Sequence, residues 1–169
     1  SNTVLYTSPN FNGFDADVAY STANKDQESV ISSKIGRQMG ASVGYANGPL
    51  NARVAYNTTS NETATSDVGS ARNWLVAANY DFAVAKAYVA YGVNKGANSS
   101  LRNNGNLNAF NYVSAATSDD STTALIGATV PVGPAGTVMA SVIHVNDKSG
   151  LNADANQFAV GYSYALSKR

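Results

Sequence analysis

Five charged side chains sit within segments that otherwise alternate apolar and small polar residues: Asp15 and Asp17, Arg53, and Asp81 with Lys86. Residues two apart in a strand share a face. Asp15 and Asp17 therefore crowd one face of one strand, where they need water or cationic partners. Arg53 stands mid-segment on the polar side of its own strand. The chemistry open to such a set is electrostatic, that of a hydrated, charged wall. Arg53 is the best candidate for an anion-attracting element of it, unless it pairs with a neighbouring carboxylate. Asp81 and Lys86 flank a short turn and read as a rim pair. Covalent catalysis has little to build on. The only histidine is His144 and cysteine is absent, whereas nucleophilic catalysis needs an activating partner close by. Asp147 and Asp154 share a polar loop, but their spacing does not match an EF-hand. Opportunistic Ca²⁺ binding there is a minor alternative, and no cofactor is expected.

These charges need elements to hold them. The chain has 169 residues, enough for one domain. Charged residues make up 13% and the formal net charge is zero, so nucleic-acid binding has no electrostatic basis. No apolar run approaches the ~18–20 residues of a transmembrane helix, but a barrel strand crosses a membrane with only about 9–11 alternating residues. Alternation is what the chain offers. Phe14, Ala16, Val18 and Tyr20 oppose Asp15, Asp17, Ala19 and Ser21. Met39, Ala41, Val43 and Tyr45 oppose Gln38, Gly40, Ser42 and Gly44. Ala52, Val54 and Tyr56 oppose Asn51, Arg53 and Ala55.

The pattern predicts nine antiparallel strands near 2–7, 14–21, 38–46, 50–57, 72–82, 86–93, 123–132, 137–146 and 156–166. The segment 137–146 is apolar on both parities, so its faces stay ambiguous. Short local structure is expected within 107–115. Connections alternate between short turns, near Asn10, Asn47, Ala83 and Pro134, and long polar loops at 22–37, 58–71, 94–122 and 147–155. Outer-membrane barrels show this rhythm, with short periplasmic turns and long extracellular loops.

Aromatic residues fall near strand ends: Tyr6, Phe14, Tyr20, Tyr45, Tyr56, Trp74, Tyr80, Phe82, Tyr91, Phe158 and Tyr164. Amphipathic rings prefer the headgroup level of a bilayer, so these are expected to form interfacial girdles. The apolar parity then faces lipid and the polar parity a water-filled lumen. The alternative is a structural or interaction protein, such as a secreted β-sandwich, an adhesin or a strand-stacked filament. A sandwich would bury Val89, Val160 and Tyr162; a barrel would leave them on its outer surface.

Four stretches, SPNFNGF at 8–14, MGASVGYANGPLNARVAYN at 39–57, NYDFAVAKAYVAYG at 79–92 and VGYSYALSKR at 160–169, resemble the general trimeric porins of β-proteobacterial outer membranes. The resemblance runs over essentially the whole chain. It implies an antiparallel barrel of about 16 strands, a homotrimer among outer-membrane lipid and lipopolysaccharide, and passage of small hydrophilic solutes or inorganic ions. Many members prefer anions. Nine strands cannot close such a barrel, since single-chain bacterial barrels use even numbers. The chain reads as a central-to-late segment of one barrel domain, incomplete at both ends. The inward-folded constriction loop and the closing C-terminal strand are missing from it.

Overall fold

The computed structural model describes residues 2–22, 36–61, 69–96, 99, 120–148, 150, 152 and 154–166. The local structure expected within 107–115 lies outside these. The described residues form nine strands: β1 (Asn2–Thr7), β2 (Phe14–Thr22), β3 (Gln38–Asn47), β4 (Leu50–Ser60), β5 (Ser70–Asp81), β6 (Lys86–Lys95), β7 (Ser121–Val132), β8 (Gly136–Asp147) and β9 (Ala155–Tyr164). Each pairs antiparallel with its sequence neighbours in a single sheet of order β1 to β9. All nine coincide with the segments expected from the sequence. Several run further than the apolar pattern, β4 to Ser60, β5 from Ser70, β6 to Lys95 and β7 from Ser121. All of these extensions are at loop ends, where backbone pairing continues through mainly polar residues. At the other end, β9 stops at Tyr164 and β5 at Asp81.

The turns explain the short connections. Asn12 and Gly13 both have positive φ, 52° and 94°, as the two central residues of a type I′ hairpin require. They link Phe11 to Phe14 in a small bridge of their own. Asn47 instead remains in its strand opposite Leu50, and the turn is Gly48–Pro49 with Gly48 at φ 54°. In the β5–β6 turn, Ala83 is forced to φ 68°. The Asp81 carboxylate supports it by accepting the Ala83 N–H at 2.8 Å. A left-handed alanine costs roughly 1–2 kcal/mol. Ala83→Gly is therefore expected to stabilise the protein by about 0.5–1 kcal/mol, read as a higher urea midpoint for loss of the folded band on a gel.

Register sets the tilt. Starting at Tyr45, near the turn end of β3, successive partners are Ala52, Ala78, Val89, Ile126, Val142 and Phe158. Phe158 lies near the loop end of β9. A row that climbs from one end of the strands to the other is the stagger of tilted barrel strands.

Exposure runs opposite to that of a soluble sheet. In β7 the apolar Ala124, Ile126, Ala128 and Val130 are exposed, while Leu125, Gly127 and Thr129 are half-buried. In β2, Phe14, Val18 and Tyr20 are exposed and Asp15, Asp17 and Ala19 half-buried. Side chains crowd on the concave side of a curved sheet and splay on the convex side, so the polar parity lies inside the curve. Val89, Val160 and Tyr162 are 51%, 83% and 61% exposed, as expected of a barrel and not of a sandwich. The same register settles β8. Val138 pairs with Tyr162 and Val142 with Phe158, so they point outward and Met139, Ser141 and Ile143 point inward. With Tyr88 and Leu125, Met139 lines a largely apolar concavity of about 450 Å³ on the inner side.

Candidate functional site

Three strands bring the first charged residues together. The Gly48–Pro49 turn sets Asn47 opposite Leu50 and hence Gly44 opposite Arg53. On the other flank of β3, Gly44 faces Asp15 and Ser42 faces Asp17. Arg53 lies across β3 toward β2. Its Nη2 donates to Asp15 Oδ2. Its Nη1 donates to Asp17 Oδ2 and to Ser42 Oγ, both at 2.7 Å. The Ser42 hydroxyl donates in turn to Asp17 Oδ2 at 3.0 Å. A planar guanidinium suits this arrangement because its donors form a rigid fork, which a lysine ammonium lacks. Arg53 is thus not a lone cation. Two carboxylates against one guanidinium leave a formal charge of −1. The three side chains keep 41%, 26% and 31% of their surface exposed, so the cluster sits at a wetted surface and its charges are screened as exposed pairs are.

Asp81 and Lys86 face each other across the β5–β6 turn, with Nζ 3.4 Å from Oδ2. They pair with one another at the turn end and do not join the Arg53 cluster. His144 points outward, in register with Ala124 and Asn156, and its Nδ1 lies 2.8 Å from Asn156 Oδ1. Asp154 Oδ1 accepts the Asp147 N–H at 2.8 Å, which ties the β8–β9 loop.

Parity reasoning missed a polar row at the loop end. Asn57, Asn73, Asn94, Ser121 and Asp147 stand in register across β4 to β8. Asn73 donates to Asn94 Oδ1 at 2.7 Å and Asn94 to Ser121 Oγ at 3.0 Å. Ala71, Ser99, Ser121 and Asp147 are all buried there. The signal available in the sequence was the shared parity of Asn57 and Asn73.

The aromatic residues fall into two groups. Tyr6, Phe14, Tyr45, Tyr80, Phe82 and Tyr164 lie toward the turn ends, and Tyr20, Tyr56, Trp74, Tyr91 and Phe158 toward the loop ends. Tyr56, Trp74 and Tyr91 stand closer to mid-strand than the sequence pattern implied, because β4, β5 and β6 extend at their loop ends. Phe14 packs on Tyr45 and Tyr56 on Trp74, each with ring centroids 4.4 Å apart. Tyr80 and Phe82 meet at 4.6 Å. All but Tyr45 and Tyr56 are exposed.

An antiparallel sheet with an exposed apolar outer face, aromatic rings in two groups along its strands and charges on its inner side is the wall of a transmembrane β-barrel. The Gram-negative porin family matches residues 1–169, and the chain belongs to that family. It is 28% identical over 188 residues to an outer membrane porin protein of Bordetella pertussis, covering 99% of this chain and 49% of that protein. It is 29% identical over 170 residues to outer membrane porin protein 32 of Delftia acidovorans, covering 100% and 43%. The chain thus spans about half the length of the curated relatives it matches. Among solved structures it superposes on an anion-selective porin from Comamonas acidovorans with a TM-score of 0.74 at 26% identity, over 99% of this chain and 45% of that one. A second porin superposes with a TM-score of 0.70 at 17% identity, over 97% and 51%, and shares the fold. These relatives are channel proteins rather than enzymes, and the family places the chain in the outer membrane of a Gram-negative bacterium.

Proposed function

We propose that these strands form part of the wall of a passive diffusion channel for small hydrophilic solutes and inorganic ions, catalysing no reaction and using no cofactor. One observation carries the reading: apolar side chains are exposed on the convex face, while Arg53, Asp15 and Asp17 meet on the other. In a bilayer the first face meets lipid and the second water. The nine strands are one stretch of a larger barrel domain, a reading supported by their match to about half of each relative. The two aromatic groups are headgroup girdles, in contact with lipid and lipopolysaccharide. The protein assembles as a homotrimer, as the family resemblance implies.

The Comamonas acidovorans porin is anion-selective. In this chain the Arg53 cluster, at a formal −1, does not by itself attract anions, so any such preference comes from cations elsewhere along the pore. The test is to purify the protein that carries this chain in detergent and add it to a planar bilayer. Stepwise, ohmic conductance with no energy source is expected. A protein that stays in the aqueous phase without detergent and gives no conductance would contradict the reading.

A further inference from the structure

We infer that Gly44 is the positioning residue that sets the charge seen by a solute at this part of the wall, by leaving the space in which the Arg53 guanidinium lies. Gly44 is the one buried residue of β3, and it stands between Asp15 and Arg53 in the cross-strand row. A Cβ at this position would come within 2.5 Å of Asp15 Oδ1 and 2.6 Å of Arg53 Nη2. Real Cβ contacts are longer than that, so something must move. The atoms in the way are the far ends of two flexible side chains and not backbone. Position 44 also lies in regular strand pairing, without the positive φ that would demand glycine. The sheet therefore tolerates alanine and the charge cluster does not.

Gly40, four residues earlier on the same face, gives the contrast. A Cβ there meets only Tyr56 O at 3.7 Å and Asn57 Oδ1 at 3.8 Å, which is ordinary contact. Two glycines on one face of one strand thus differ in what they do. The first is replaceable, while the second lets Arg53 fold over the strand and reach both Asp15 and Asp17. Held down, the guanidinium is neutralised at the wall. Displaced by a methyl group, it loses Asp15. The formal charge of the cluster stays −1, but its cation now stands further into the water than the carboxylates and is the charge a passing solute meets first.

This inference rests on the channel reading, and the experiment separates the two. Reversal potentials are measured in a salt gradient for the full protein and for Gly44→Ala, Gly40→Ala, Arg53→Gln and the double variant Gly44→Ala/Arg53→Gln. Gly44→Ala is expected to raise the anion-over-cation permeability ratio about two-fold, less at high salt. Gly40→Ala is expected to leave it unchanged. In the Arg53→Gln background, Gly44→Ala is expected to have no further effect, which a purely structural role for the glycine would not produce. If Gly44→Ala fails to assemble but the double variant assembles, position 44 is confirmed as guanidinium space. The inference is overturned if both fail, if Gly44→Ala assembles with unchanged selectivity, or if its shift persists without Arg53. Absence of conductance in the unaltered protein would instead overturn the channel reading, and this inference with it.

Discussion

Arg53→Glu is expected to move the reversal potential of the reconstituted channel strongly toward cation preference. The substitution removes the only cation of the cluster and leaves three carboxylates on the two strands that flank β3, taking its formal charge from −1 to −3. In a narrow aqueous pore with low-dielectric walls such a change raises local cation concentration well above bulk. A several-fold change in the permeability ratio is expected in dilute salt, collapsing near 1 M where the screening length is about 3 Å. Folding should weaken only modestly, because the cluster faces water and exposed ion pairs contribute little. Planar-bilayer reversal potentials at two salt concentrations provide the check. Intact conductance with unchanged selectivity would remove Arg53 from the pore mechanism.

The second large effect concerns the outer face. Val89→Arg is expected to destabilise the protein by about 2–4 kcal/mol, the cost of a cation on the lipid side near mid-membrane. Val89 is the fourth residue of the ten-residue β6 and is exposed on the apolar parity. Ala90→Arg, one residue along and facing inward, is expected to cost far less because its charge stays hydrated. The comparison holds backbone, strand and side chain constant and changes only the face. Urea-induced unfolding of both variants in lipid vesicles measures it, and equal losses would mean the two faces meet similar surroundings.

These faces were legible in the sequence because strand periodicity is insensitive to small boundary errors. Ile126 and Val89 need only the right parity to be assigned outward. Parity says nothing about height, so the partners of Arg53 were not legible. The tight Gly48–Pro49 turn does fix β4 against β3, and counting back from it sets Arg53 opposite Gly44. The β2–β3 connection is long, however, and a long loop admits any register of the correct parity. Whether Asp15, Asp17 or neither met Arg53 therefore depended on the cross-strand pairing itself. In β8 the opposite failure occurs. Met139, Ile143 and Val145 are as apolar as Val138, Ala140 and Val142, so the pattern carries no sign. Pairing with Tyr162 and Phe158 on β9 supplies it.

The central claim, that one parity of each strand faces lipid and the other a conducting aqueous lumen, is tested most directly by thiol modification during single-channel recording. These 169 residues contain no cysteine; with any cysteine elsewhere in the protein replaced by serine, a single introduced thiol in β6 reports its own position. A charged, membrane-impermeant methanethiosulfonate reagent added to Ala90→Cys channels is expected to change conductance in discrete steps, while Val89→Cys channels stay unaltered under the same exposure. Equal responses at both positions, or a response at Val89→Cys alone, would contradict the account.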